Sequence, residues 1–199
     1  MKRVVLAALC VAVVSPGCAT SPSASAGSAA PSAVAAVGEG LILQAGEGER
    51  RVRRPRPDAR PGQLTDPFIL KVDRKNGGSP DLVMGYEDLA PGQAIQPHRH
   101  LLADEIIFVH KGSGVASLGA REAPVSAGAT LYIPRNTRVA LRNTGSEPLG
   151  IAFIFSKPGF EELMRSNSVL EGEPVTPLSA EERARNRQAN RWHTIHEEP

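Results

Sequence analysis

The stretch GQAIQPHRHLLADEIIFVHKG, residues 92–112, decides how the rest of the chain is read. His98 and His100 stand two apart, so in an extended strand both imidazoles point to one face. Glu105 opens the apolar run that continues through Val109, and an acid on the inner face of such a strand is costly unless it is paired or metal-bound. Two imidazoles and a carboxylate that converge on one point are the donor set of a divalent transition-metal site. The competing reading is a surface loop that happens to carry histidines.

The chain has 199 residues, 41% hydrophobic and 22% charged, which is one globular domain with appendages rather than a disordered chain. The 19 Gly and 17 Pro favour many short strands and turns over a helical bundle. Expected strands are Leu41–Ala45, Phe68–Asp73, Asp81–Asp88, Glu105–His110, Gly114–Leu118, Thr130–Ile133, Arg138–Arg142 and Leu149–Ser156. They are separated by turn signals such as Asn76-Gly77-Gly78, Pro91-Gly92 and Asn143-Thr144-Gly145. After Pro158 the texture becomes helical. Gly159–Ser166 is one expected helix. A second starts at Ser179 as N-cap, with Glu182 three residues on, and runs to about Asn190. Both are expected to pack on the outside of an all-β barrel.

Gly92, His98, His100, Glu105 and Gly112 resemble the first motif of the cupin superfamily, and Gly128, Pro134 and Asn143 occupy positions of its second motif. Asn136 stands where a Gly is usual, a mild change because Asn tolerates positive φ. Val139 stands where the family places a fourth ligand, a His. The resemblance covers residues 64–157. It implies a double-stranded β-helix, the cupin jelly-roll barrel, with Fe, Mn or Ni (or Zn) held inside by His98, His100 and Glu105.

In Thr137-Arg138-Val139-Ala140-Leu141-Arg142 the arginines share one face, so period-2 alternation aims Val139 inward. Three outcomes stay open. The metal is held by three protein ligands with free coordination positions; or another residue completes the shell, Gln96 having the parity of His98; or the ion is lost and the cavity binds a small molecule. Gln96, Val139, Phe153 and Phe155 are the expected cavity-lining residues.

The resemblance is compatible with two classes of function. One is a metal-dependent, dioxygenase-like enzyme or isomerase acting on a small organic substrate, with the metal as Lewis acid and template. The other is a non-enzymatic small-molecule receptor in which the metal is structural or absent. Fold alone does not choose between them, and no general base stands out beyond the ligands.

Other candidates read as bland. His110 has the parity opposite to Glu105, and Asp104 and Arg99 point away from the ligands. Tyr132 reads as core, within Leu131-Tyr132-Ile133. His193 and His196 read as part of a polar tail.

The front of the chain reads as a sorting device. Lys2 and Arg3 precede an apolar run of 11 residues, Val4–Val14, and Ser15-Pro16-Gly17 precede Cys18. The arrangement resembles a bacterial lipoprotein signal, residues 1–17, with Cys18 as the lipidated residue, although Ser15 replaces the usual Leu. Residues 18–40 are a Ser/Ala/Gly-rich tether with a reach of about 25 Å. Both cysteines, Cys10 and Cys18, lie in this segment, so the body carries no thiol, as suits an oxidising compartment. Removing Lys2 and Arg3 lowers the formal charge from +2 to 0. That, with no aromatics among the arginines, argues against nucleic-acid binding.

Residues 41–63 form a basic, Pro-rich lead-in. Its Arg50-Arg51-Val52-Arg53-Arg54 is expected to be a solvated loop, or else a patch that touches anionic lipid. Residues 158–199 form the C-terminal helical extension. The expected setting is the bacterial cell envelope, with a lipid anchor, a small-molecule ligand and a homodimer as the anticipated partners.

Overall fold

The computed structural model describes residues 40–56, 62–63 and 65–197. Residues 1–39, where the signal, Cys18 and most of the tether are expected, lie outside the described residues, as do residues 57–61, 64 and 198–199.

Twelve strands and two helices follow one another along the described residues, ten strands before the first helix. The strands preceding the first helix are β1 (Glu49–Arg53), β2 (Phe68–Val72), β3 (Val83–Leu89), β4 (Ala94–His100), β5 (Glu105–Lys111), β6 (Ser113–Leu118), β7 (Arg121–Ser126), β8 (Thr130–Ile133), β9 (Val139–Asn143) and β10 (Leu149–Phe155). They are followed by α1 (Phe160–Ser166), β11 (Ser168–Leu170), α2 (Ala180–Asn190) and β12 (Thr194–His196). The strands form a seven-stranded sheet in the order β11-β1-β2-β3-β10-β5-β8 and a five-stranded sheet in the order β12-β4-β9-β6-β7, all pairs antiparallel. This is the expected all-β jelly roll with short C-terminal helices.

Alternation along the strands builds the interior. In β5 Glu105, Ile107 and Val109 are buried while Ile106, Phe108 and His110 are exposed, and in β9 Val139 and Leu141 are buried. An aliphatic cluster collects Leu89, Ile107, Val109, Leu131, Ile133, Val139, Leu141, Leu149 and Ile151. A second cluster, built on Phe68, Leu70, Val83, Phe153, Phe155 and Met164, lies beside the histidines.

Turn chemistry matches the strand ends. Gly112, at the β5–β6 turn, has φ +75°, and a Cβ there would overlap the Pro148 carbonyl. Asn136 has φ 60° and is the one non-glycine with positive φ among the described residues, so it serves in the role a glycine would fill. The buried Asn143 amide donates to the carbonyls of Leu89 and Glu147, while its oxygen accepts from Gly145 N–H, which fixes the β9–β10 turn.

Four expectations change. Leu41–Ala45 is not a strand. The carbonyls of Gln44, Ala45 and Glu47 turn instead to the buried Lys71 ammonium, which takes the place of a sheet partner.

The arginine run is neither a loop nor an open lipid patch, because Arg50, Arg51 and Arg53 lie in β1. Arg50 pairs with Glu171 at 2.6 Å, Arg51 with Glu49 at 2.6 Å, Arg53 with Glu87, and Arg54 with Glu182 at 3.3 Å.

Tyr132 is 58% exposed, because Leu131 and Ile133 take the inward positions of β8. The polar tail is not a tail. Its residues 194–196 form β12, which pairs with β4.

The helices form over nearly the expected residues, and α1 turns Phe160 and Met164 toward the core beside the histidines. Ser179 and Glu182 form a reciprocal capping box at α2, an arrangement worth about 1 kcal/mol. Behind β1, the half-buried Arg165 guanidinium holds both Glu49 and the fully buried Asp73, tying α1 to β1 and to the turn after β2. The Arg165 hydrogen bond, ahead of an opposing effect of burial, holds the Glu49 carboxyl below its ordinary range.

Candidate metal centre

β4 delivers the imidazoles and β5 the carboxylate. His98, His100 and Glu105 are all buried, and one potential ligand atom from each lies within 4.8 Å of the others. Nε2 of His98 is 3.0 Å from Nε2 of His100, and Nε2 of His100 is 3.5 Å from Glu105 Oε2.

The tautomer of His98 follows from its neighbour. Its Nδ1 lies 2.8 Å from the Gln96 carbonyl, which can only accept, so Nδ1 carries the proton and Nε2 presents a lone pair. His100 places Nδ1 3.1 Å from the Thr194 hydroxyl.

Burial controls the electrostatics. It pushes the Glu105 carboxyl up to about 8, with a smaller contribution from the charge of Glu87. It pushes both imidazoles down; for His100 the neighbouring His98, His193 and His196 add to the effect. Without a cation the histidines are therefore neutral, and the 3.5 Å approach of His100 to Glu105 is not an ion pair.

Glu105 Oε2 is buried and has no hydrogen-bond partner. Leaving such an oxygen alone costs about 1–3 kcal/mol. A divalent cation between two imidazole lone pairs and this oxygen removes that cost and favours the charged carboxylate. The donor set thus fits a transition metal, and His98, His100 and Glu105 are the residues that could hold it.

The expected wall residues separate. Val139 is 1% exposed and sits directly across from His98 in the β4–β9 register, so the parity reading holds. Phe155 lies against His100 with ring centroids 4.6 Å apart. Phe153 packs over Gly85 in the apolar core.

Gln96 does not point inward. β4 is bulged between Ile95 and His98, so three steps on β4 oppose two on β9, and the alternation slips. The Gln96 side chain is exposed, and the residue serves the site through its carbonyl. Neither Val139 nor the two phenylalanines lines an open pocket among those described. The larger pocket, about 940 Å³, lies on the outer face of the seven-stranded sheet, with Leu41, Ile69, Met84, Tyr86 and His110 in its wall. His110 thus faces away from the ligands, as its parity predicts. Arg99 and Asp104 also point outward, pairing with Glu197 and Arg135.

The sequence reading missed three residues at the site. Phe160 of α1 sits 4.8 Å from the His100 ring and stacks on His98 at 6.4 Å. His193 is 0% exposed, with its ring 5.4 Å from that of His100, and burial pushes its imidazole down to about 4. Thr194 is buried against His100. A short Thr-Ile-His strand has no pattern that distinguishes it from a tail.

Residues 85–155 match the cupin domain family. The matched region runs from β3 to β10 and contains every candidate ligand, whereas α1, α2 and β12 lie beyond it. Among curated relatives, the chain is similar to the tetracenomycin polyketide synthase protein TcmJ of Streptomyces glaucescens, 27% identical over 73 residues, which is 37% of this chain and 49% of that protein. It is also similar to the dimethylsulfoniopropionate lyase DddW of Ruegeria pomeroyi, 31% identical over 83 residues, 42% of this chain and 53% of that one. The chain spans about half the length of the curated relatives it matches. The crystal structure of a predicted oxalate decarboxylase from Thermotoga maritima superposes with a TM-score of 0.50 at 18% identity, over 59% of this chain and all of the other, and supports the cupin jelly-roll fold.

Proposed function

We propose that this cupin barrel binds a divalent transition metal, Fe, Mn or Ni in the first instance, through His98, His100 and Glu105, and acts on a small organic molecule as an oxygenase or isomerase. The observation that carries the reading is the pair of imidazole Nε2 atoms at 3.0 Å beside the partnerless, buried Glu105 oxygen. When bound, the metal supplies Lewis acidity and a template for substrate. The chain's own contribution is positional. Gln96 holds the His98 tautomer, Val139 presents an apolar wall opposite it, and Phe155 and Phe160 exclude water from the imidazoles.

Metal analysis of protein purified without added metal tests this, with one transition ion per barrel expected. Protein that arrives metal-free and refuses Mn, Fe, Ni and Zn ends the reading.

Val139 favours a second one. With an apolar side chain where a fourth ligand is usual, the barrel is a receptor that holds a small molecule without turning it over. A metal-loaded barrel that binds but does not consume small organic acids, enols or phenols would select it.

The proposal also places the protein in the bacterial envelope, exported by residues 1–17 and anchored through Cys18. Incorporation of labelled fatty acid that persists in Cys18→Ser would remove the anchor. A homodimer belongs to the same reading, supported by the exposed apolar Ile106, Phe108 and Tyr132 on neighbouring strands. Light scattering at micromolar concentration tests it.

A further inference from the structure

We infer that Thr194, a residue of the C-terminal strand outside the matched cupin region, is a positioning residue for the metal ligand His100. The inference rests on the metal-binding reading above. An imidazole that coordinates through Nε2 must keep its proton on Nδ1, and that proton needs a fixed acceptor. For His98 the acceptor is built into β4, the carbonyl of Gln96. For His100, β4 provides none. The group that faces its Nδ1 is the Thr194 hydroxyl, at 3.1 Å, with both side chains buried.

The placement of Thr194 is enforced by the fold. β12 pairs antiparallel with β4 in the register Thr194–His100 and His196–His98, so Thr194 shares the inward face with its partner. The strand is held at both ends. Leu101 N–H donates to the His193 carbonyl at 2.7 Å, and Glu197 N–H donates to the Pro97 carbonyl at 3.0 Å. The Glu197 carboxylate then accepts from Arg99 and Arg138 on the outer surface.

A hydroxyl also does what a carbonyl cannot. It offers two lone pairs and a proton on a free rotor. Thr194 Oγ1 lies 2.9 Å from His193 Nδ1 as well, so it can accept from both rings. In that arrangement His193 keeps its proton on Nδ1, which leaves its buried Nε2 a bare acceptor. That agrees with Nε2 having no partner, since a buried acceptor is cheaper to orphan than an N–H. His193 thus backs Thr194 from behind, and Thr194 orients His100.

The test uses the full chain with Thr194→Val, which keeps the shape and removes the hydroxyl, and Thr194→Ser, which keeps the hydroxyl. Zn²⁺ affinity is measured by competition with a fluorescent chelator. The expected result is a loss of about 10- to 100-fold in Thr194→Val, with Thr194→Ser within about threefold of the parent protein. The ¹⁵N resonances of the His100 ring, recorded on metal-free protein, should move in Thr194→Val and stay in Thr194→Ser.

Unchanged zinc affinity in Thr194→Val overturns the inference. So does equal weakening in both variants, which would make the effect one of packing. A parent protein that takes up no ion removes the metal-binding reading, and the ring resonances then decide alone: if they are unmoved in Thr194→Val, the positioning role is gone as well.

Discussion

Two parts of one interior obey the same alternation and do different work. Around Leu141 the inward positions of β5, β8, β9 and β10 are aliphatic, with no polar atom among the clustered side chains. Around His100 the inward positions of β4, β5 and β10 are two imidazoles, a carboxylate and an aromatic ring. Strand β5 joins the two, with Glu105 in one part and Ile107 and Val109 in the other. One strand therefore carries a buried acid and the aliphatic cluster a single step of two residues apart, so the candidate site and the apolar core can be perturbed separately.

The largest expected effect is at the polar part. His98→Ala with His100→Ala should cut metal affinity by at least about 10³-fold, roughly 4 kcal/mol, while the far-ultraviolet dichroism stays that of a β-barrel. An unfolded variant would mean the two parts are not separable.

The mirror experiment is Leu141→Ala. It should lower unfolding free energy by about 2–5 kcal/mol in urea titrations and leave the metal affinity of the folded fraction unchanged.

Val139 stands on the border, packed with the aliphatic cluster yet opposite His98. Val139→His should tighten metal binding by about tenfold, roughly 1.4 kcal/mol. It should also lower the melting temperature of the metal-free protein, because a polar ring replaces an isopropyl group. Unchanged affinity would place the new imidazole away from the centre.

Outside the interior, Ser179→Ala should cost about 1 kcal/mol by removing the α2 cap, with no change at either part.

The smallest effect is electrostatic. Glu49 has its carboxyl held below the ordinary value by Arg165. A depressed carboxyl contributes stability that is present above the unfolded value and is lost as pH falls through the folded one. Parent protein should therefore lose stability below about pH 4.5, and Glu49→Gln should lose less over that window. Identical acid limbs would assign the acid sensitivity elsewhere.

The comparison also explains what could be read in advance. β5, β9 and β10 carry period-2 or continuous apolar patterns that announce strands, while the jelly roll and the three candidate ligands came from the His98-Arg99-His100 spacing, Glu105 and the resemblance they carry. The inward aim of Val139 followed from two arginines on its opposite face. Tyr132 was legible too, since strict alternation with Leu131 and Ile133 sends it outward. Treating the three as one apolar block loses that information.

The rest was hidden for physical reasons. The β4 bulge falls around Pro97, a mark that simple alternation ignores, so Gln96 inherits the wrong parity. β7 is a polar edge strand, Arg-Glu-Ala-Pro-Val-Ser, whose pattern lacks a buried face. The partners of the arginine run lie far along the chain, Arg50 finding Glu171 across 121 positions and Arg54 finding Glu182 across 128. No local pattern encodes such a pairing. β12 takes its order from β4 rather than from its own three residues.

That last strand has a temporal consequence. His100 leaves the ribosome 94 residues ahead of Thr194. Until then β4 has an open edge, and His100 Nδ1 lacks its hydroxyl partner although Phe155 and Phe160 already flank the ring. A chain cut short before Thr194 keeps every residue of the aliphatic cluster and loses the hydroxyl beside His100. On the proposed reading, the candidate centre thus gains its final positioning group from β12, after every strand of the matched barrel has been made.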